Sequence, residues 1–340
     1  MADSKPINVA VVGAGAFGRN HARVYHQLEK EGSGVRLAAI VDEGRERATA
    51  VAQEYAGTRA FGSVHELIKQ SGIQAASVAV PTVEHLKVAG ALMEAGIDVL
   101  IEKPLAPTLS DADELIRLAK RTDRVAQVGH LERFNPAVRV TRGLLTQPMF
   151  FEVHRLSVFT PRSLDIDVVL DLMIHDLDVV LSFVNSPVTE VRAVGLPILS
   201  SRVDIANVRM EFESGCVANF TASRVSTERI RKLRFFQPKQ YISIDYTRQD
   251  VLVFTVNPQP ESQVAAQGAI GSQIQVSKPP VQAEEPLRAE LRSFIEAVQK
   301  RSQPAVTLEE GRRALALALD IAGSIAAHSR RVNLEALRAT

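Results

Sequence analysis

Glu102-Lys103-Pro104 closes the apolar run DVLIEK, and Asp171-Leu172-Met173-Ile174-His175 lies inside a helical stretch further along the chain. A histidine titrates near neutrality and exchanges protons at working pH, while an ammonium stabilises an oxygen that gains negative charge. A carboxylate four residues before the histidine shares its helix face, so Asp171 and His175 can project together. Lys103, Asp171 and His175 are therefore residues whose types could exchange a proton or stabilise an oxygen. Position strengthens the lysine's case: ligands of an open α/β sheet bind beyond the carboxyl ends of its strands, and Pro104 fixes the chain direction just after Lys103. The competing reading is a surface turn at Lys103, with solvated Asp171, Asp176 and Asp178 around a satisfied His175.

Gly13-Ala14-Gly15-Ala16-Phe17-Gly18 follows the strand INVAVV and opens a helix near Arg19, a context that lifts G-x-G-x-x-G above a chance match. Gly13 permits the tight turn, Gly15 lets backbone approach a pyrophosphate, and Gly18 lets helix and strand pack closely. The helix N-terminus supplies amide donors and a positive dipole end for phosphates. Asp42, ending the second strand, suits the two hydroxyls of an adenosine ribose and repels a 2′-phosphate, which favours NAD over NADP. Arg45 and Arg47 offer the alternative, a phosphate partner, and capping a helix is a further role for Asp42.

Around these residues, Ile7 to Val128 alternates short apolar strands (INVAVV, VRLAAIVD, AASVAV, DVLIEK, RVAQVG) with helical stretches such as Val64 to Gln70 and His85 to Glu94, which Gly96 ends. This predicts a Rossmann domain over residues 1–128. Beyond residue 130 the segments Phe150 to Phe159, Glu190 to Ile198, Asp204 to Phe212, Cys216 to Arg224, Lys232 to Gln237 and Tyr241 to Val256 read as strands, with Glu213-Ser214-Gly215 as a hairpin turn. The fold class expected is α/β: an N-terminal Rossmann domain plus a C-terminal α+β domain, residues 129–340, with a mostly antiparallel open sheet. Residues 257–284, rich in Gln, Pro, Gly, Ser and Ala, predict a mobile loop. Leu287, Leu291, Phe294, Ile295 and Val298 share a helical face, and Thr307 with Glu310 forms a capping box before a final helix.

In a chain of 340 residues, Lys+Arg 40 against Asp+Glu 39 leaves a net charge of +1, too balanced for a nucleic-acid surface. No apolar run approaches a membrane span. Cys216 is the only cysteine, which excludes an intramolecular disulfide and suits a small core residue in a reducing compartment. With MADSKPINVAVVG running directly into a strand, a cytoplasmic protein is expected. His130, His154 and His175 lack metal-ligand spacing, so no metal is expected.

A Rossmann glycine turn, a Glu-Lys-Pro at a strand end and a later D-x-x-x-H, in this order over nearly the whole chain, resemble the glucose-fructose oxidoreductase and inositol dehydrogenase family. The resemblance implies that Lys103 and His175 flank the substrate hydroxyl, with His175 as general base and Lys103 stabilising the oxygen or carrying the proton itself. Cofactor-binding positions are then Gly13, Gly15, Ala16, Phe17, Gly18, Asp42, Pro81, Thr82, His85, Glu102 and Lys103. Where many members carry Thr-Pro-Asn ahead of the histidine, this chain has Pro81-Thr82-Val83-Glu84-His85.

Gly129-His130-Leu131-Glu132-Arg133-Phe134-Asn135-Pro136 resembles a stretch of the bacterial UDP-N-acetylglucosamine 3-dehydrogenases, which make a 3-keto sugar for amination in diamino lipid A synthesis. That implies a nucleotide-sugar substrate oxidised at its C3 hydroxyl with NAD, held by Lys103, Arg133, Asn135, Arg162, Asp171 and His175. Arg133 offers a planar fork and Asn135 both a donor and an acceptor, although a linker with a structural salt bridge at Arg133 fits the same residues. Arg155 and Arg162 are further candidates for a diphosphate or ordinary surface cations. Alternative substrates are another sugar, a UDP-sugar acid or a cyclitol. A non-catalytic dinucleotide-binding redox sensor is the competing class, against which retention of Lys103 and His175 argues. The family further implies a homodimer or homotetramer through the open sheet face.

Overall fold

The computed structural model describes residues 5–70, 72–160, 166–256 and 274–332. Two compact units emerge: the first runs through Phe134 and takes back Glu284–Leu315, and the second runs from Asn135 to Ala283 and resumes at Ala316. Where the sequence suggests one boundary at 128/129, the C-terminal segment is shared between the units.

In the first unit, β1 (Ile7–Val12), β2 (Val35–Val41), β3 (Arg59–Phe61), β4 (Ala75–Val78), β5 (Asp98–Glu102) and β6 (Ala126–Gly129) form a six-stranded parallel sheet in the order β3-β2-β1-β4-β5-β6. Helices α1 (Ala16–Lys30), α2 (Arg45–Gln53), α3 (Val64–Lys69), α4 (His85–Glu94) and α5 (Leu109–Thr122) make the crossovers. The central strands are apolar on both faces because helices cover both, and every residue of β4 and β5 is buried. Strand order reverses between β1 and β4, the place where such sheets bind dinucleotides. β3 goes unread in the sequence because three residues, Arg-Ala-Phe, show no periodicity.

Gly96 ends α4 as expected, at φ +81°, with Ile97 N–H donating to Leu92 O. α8 (Pro286–Lys300) completes this core. Its Leu287, Leu291, Phe294, Ile295 and Val298 join Val9, Val24, Tyr25 and Leu28 in one buried cluster, and the amide of Val128 donates to Val306 O at 3.1 Å. This packing is why residues near 300 return to the first unit.

The second unit holds α6 (Pro136–Arg142), α7 (Ile174–Phe183) and an eight-stranded sheet built from β7 (Phe150–Leu156), β8 (Val188–Leu196), β9 (Ile205–Phe212), β10 (Val217–Ser223), β11 (Ile230–Gln237), β12 (Gln240–Asp245), β13 (Asp250–Val256) and β14 (Ile274–Ser277). The order is β14-β13-β12-β11-β7-β10-β9-β8, antiparallel except between β7 and β10. The last helix, α9 (Leu308–Arg331), contributes its start to the first unit and the rest to the second. On the sheet's inner face Phe151, Phe220, Phe235, Ile242 and Ile244 are wholly buried, each worth about 1.5–3 kcal/mol of burial. On the other face the rings of Phe150, Phe236, Tyr241 and Phe254 form a row with centroids 5.7, 4.9 and 5.1 Å apart.

Two expectations are corrected here. Tyr241 to Val256 is a hairpin of two strands, because Asp245 accepts from the amides of Thr247 and Arg248 and Gln249 takes φ +53°. Of the loop expected over 257–284, Ile274–Ser277 is an exposed edge strand paired with β13, while residues 257–273 lie outside the described residues. Cys216 is buried just ahead of β10, and burial pushes its thiol up to about 11.

Candidate functional site

The glycine turn is shaped by close packing at two of its three glycines. A Cβ on Gly18 would stand 1.7 Å from Gly13 O, and one on Gly13, which has φ +101°, would stand 2.3 Å from Ala79 O. Gly15 differs: a Cβ there would meet nothing of the protein within 4 Å. Packing does not demand that glycine, whereas a pyrophosphate lying against the turn would. α1 begins with no side-chain cap and no acidic residue in its first turn, which suits an anion at its N-terminus. These features fit a nicotinamide dinucleotide held by Gly15, the first amides of α1 and Asp42.

Asp42 lies beside this turn. Its Oδ2 accepts from Ala14 N–H at 2.8 Å, its Oδ1 accepts from Gly44 N–H at 2.9 Å, and Arg47 Nε stands 3.3 Å from Oδ1. The carboxylate thus fixes the glycine turn and occupies Arg47, while Arg45 faces Glu66 at 3.4 Å. Pro81 is exposed and Thr82 half-buried on the turn after β4. His85 is buried, with ring nitrogens 3.1 Å from Val80 O and 3.2 Å from Leu105 O, so it braces the turns that follow β4 and β5. Burial lowers its pKa from the usual 6.5, against the opposing pull of the two carbonyls. Lys103 is half-buried directly after β5, and its peptide bond to Pro104 is cis. Glu102 turns inward, its Oε1 3.0 Å from Nε2 of His21 on α1.

In the second unit, Asp171 and His175 do not sit on one continuous α-helix. Val169–Met173 is π-helical and leads into α7, with Ile174 N–H donating to Val169 O. Asp167 starts this segment, its Oδ1 accepting from the amides of Val169 and Leu170 at 3.0 and 3.1 Å. π-turns inside α-helices recur at functional sites. Asp171, Leu172 and His175 are half-exposed, whereas Val168, Val169, Met173, Ile174, Asp176, Leu177 and Asp178 are buried. Asp171 and His175 are thereby left on the accessible side.

Asp176 and Asp178 are buried at 1% and 2% exposure, which corrects the picture of a solvated acidic helix face. Arg155, read from the sequence as a diphosphate ligand or surface cation, is 3% exposed and so not a surface cation. Its Nε and Nη2 donate to the two Asp176 oxygens at 2.6 and 2.9 Å, and its guanidinium lies over the Tyr246 ring at 5.2 Å. That pair pins the residue next to His175 onto β7. Upstream, Arg224 donates to Ile166 O and Val203 O, and the amide of Val168 donates to Val203 O at 2.9 Å, which seats the start of the π-turn.

The stretch around Arg133 is more structural than its chemistry suggests. Arg133 belongs to a turn of 3₁₀ helix, and its side chain, 6% exposed, donates to Glu310 at 2.7 Å. Glu310 closes the expected capping box with Thr307. Burial would raise its pKa, but the bonds from Arg133 and Thr307 hold it below the usual carboxylate range. Asn135, 2% exposed, caps α6 by accepting from Ala137 N–H and donates to Tyr246 O at 3.0 Å. Arg162 lies outside the described residues.

Sequence reading missed His21 and the Arg155–Asp176 pair. A signal existed for the first: His21 falls on the buried face of α1 with Gly18, Ala22, Tyr25 and Leu28, where an imidazole needs a polar partner. No local signal marks Arg155, since its partner is on another element.

Residues 7–130 match the profile described as an oxidoreductase family with an NAD-binding Rossmann fold, GFO/IDH/MocA, and residues 138–242 match the GFO/IDH/MocA C-terminal domain. The UDP-N-acetylglucosamine 3-dehydrogenase of Acidithiobacillus ferrooxidans is 35% identical over 331 residues, 96% of this chain and 99% of that protein. A solved structure of that enzyme, GnnA, aligns with TM-score 0.86 at 34% identity, covering 95% of this chain and 99% of its own. The myo-inositol 2-dehydrogenase of Thermotoga maritima is 27% identical over 330 residues, 92% of this chain and 94% of that protein.

Proposed function

We propose, since the chain belongs to the GFO/IDH/MocA oxidoreductase family with its NAD-binding Rossmann fold, that it oxidises the C3 hydroxyl of UDP-N-acetylglucosamine to the 3-keto sugar. The observation that carries this reading is the likeness to the Acidithiobacillus enzyme along nearly the full length of both chains. When bound, NAD accepts the hydride. The work of the chain's own residues is to orient, polarise and deprotonate. The Lys103 ammonium holds the substrate oxygen as its negative charge grows, His175 takes the hydroxyl proton, and Asp171 orients the sugar and the imidazole. Asp42 receives the adenosine ribose hydroxyls, a role supported by its place beside the glycine turn and by its hold on Arg47. Pro81, Thr82 and His85 shape the turn against which the nicotinamide half lies. Arg133 and Asn135 shape the substrate side through their fixed positions, and Arg162 remains a candidate for the diphosphate.

A 3-keto sugar suits a following amination, so this reading assigns the reaction to diamino lipid A synthesis and the enzyme to the cytoplasm. Among the described residues no helix is long and apolar enough to cross a membrane. The aromatic row on the sheet's outer face, with Phe236 38% exposed, supports assembly into a homodimer or homotetramer through that face.

The test is formation of NADH from NAD and UDP-N-acetylglucosamine, with an aminotransferase to remove the product. Turnover by the purified protein that is lost in Lys103→Ala and His175→Ala is expected. Full activity in both variants would remove these two residues from the reaction. Turnover of a free sugar, a UDP-sugar acid or a cyclitol in place of the nucleotide sugar would move the assignment to that substrate.

A further inference from the structure

We propose that His21 is a positioning residue for Lys103, acting through Glu102; this rests on the reading of Lys103 as the group that meets the substrate oxygen. His21 is 0% exposed on the inner face of α1. Nε2 of His21 and Oε1 of Glu102 stand at the ion-pair distance of 3.0 Å, and among the described residues neither atom, nor Nδ1 of His21, has a hydrogen-bonding partner elsewhere. A buried imidazole and a buried carboxylate placed this way depend on one another for the solvation they lost on folding.

The carboxylate is confined from the other side as well. Glu102 is the register partner of Gly129 on β6, and a Cβ on Gly129 would stand 2.7 Å from Oε1 and 2.9 Å from the carboxylate carbon. Glycine at 129 leaves the space that the carboxylate fills. Glu102 is thus held between α1 and β6 at the last residue of β5, and the next residue is Lys103. The Phe17 ring, in the glycine turn, lies 5.9 Å from the His21 ring. One buried contact therefore ties the turn suited to the dinucleotide's phosphates to the strand end that presents the ammonium. A displacement of about 1 Å at a reacting group costs on the order of a hundredfold in rate, so this tie is large enough to be read in turnover.

The experiment compares His21→Leu, His21→Gln, Gly129→Ala and the double His21→Leu/Gly129→Ala in the full-length protein. Turnover of UDP-N-acetylglucosamine, NAD affinity by fluorescence and thermal unfolding are read for each. Expected are a fall in kcat of about a hundredfold in His21→Leu with sugar KM little changed, recovery to within about tenfold in His21→Gln, which keeps an N–H donor, and a double variant no worse than its poorer single. Additive losses, no recovery in His21→Gln, or a loss matched by weaker NAD binding or unfolding would overturn the proposal.

If the wild-type protein leaves UDP-N-acetylglucosamine untouched, the functional reading fails and His21 is judged on Lys103 directly. The carbon-13 NMR signal of methylated Lys103, assigned with Lys103→Arg, then moves in His21→Leu and returns in His21→Gln. A signal indifferent to both substitutions would sink the inference on its own.

Discussion

Replacing Asp176 by Asn tests how the helix that carries His175 is seated. Arg155 is 3% exposed and Asp176 1%, and two bonds of 2.6 and 2.9 Å join them. An amide of the same shape removes the charge and leaves the guanidinium buried beside a neutral group. Removing one partner of a buried ion pair costs roughly 3–5 kcal/mol, and because Asn keeps one acceptor the loss here is expected near 3. For a domain of this size about 1 kcal/mol moves Tm by roughly 2–4 °C, so the second unit should melt about 6–12 °C lower. Replacing both partners, as Arg155→Met with Asp176→Leu, removes the desolvation problem along with the pair and should restore most of the loss. Calorimetry measures the melting, and the double-mutant cycle gives the coupling. An Asp176→Asn variant with wild-type melting, or a double variant whose loss equals the sum of the singles, would refute the reasoning. Turnover should fall with Asp176→Asn as well, because residue 176 follows His175 directly.

Asp42→Ser removes the carboxylate proposed to accept from the ribose hydroxyls and releases Arg47. A hydrogen bond to a charged group is worth about 1.5–3 kcal/mol, so NAD KM should rise roughly tenfold to a hundredfold and NADP should come into use; an unchanged preference would take Asp42 out of cofactor selection. His85, with its pKa lowered by burial, binds fewer protons folded than unfolded between its lowered value and 6.5. Its contribution is therefore complete above about 6.5 and is lost as pH falls from there through the lowered folded value, and urea midpoints against pH should fall less steeply in His85→Gln. Phe236→Glu puts a charge into the exposed aromatic row and should weaken self-association at least about thirtyfold by analytical ultracentrifugation, an effect of about 2 kcal/mol; a mass independent of the substitution would free that face.

Much of the Rossmann half was legible because its signals are local. A strand, three glycines and a helix follow one another without a gap, and the structure explains two of those glycines by backbone contacts closer than a side chain permits. The boundary of α4 and the capping box at Thr307 and Glu310 were equally readable, since both depend on residues within one turn. What escaped was non-local. Asn135 carries the right groups for a sugar, yet its donor and acceptor are committed to Tyr246 and Ala137, and only the return of the chain at residue 246 reveals that. Arg133 likewise meets Glu310, far along the chain. In D-x-x-x-H the spacing was visible but the π-turn was not, because its extra residue per turn leaves no mark on composition.

The central claim is that hydride leaves C3 of the nucleotide sugar. UDP-N-acetylglucosamine carrying deuterium at C3, incubated with NAD and the full-length protein, should yield deuterated NADH by mass spectrometry, with slower turnover than the unlabelled sugar if hydride transfer limits the rate. NADH formed without deuterium would place the oxidation at another carbon, and no NADH from this sugar would contradict the substrate itself.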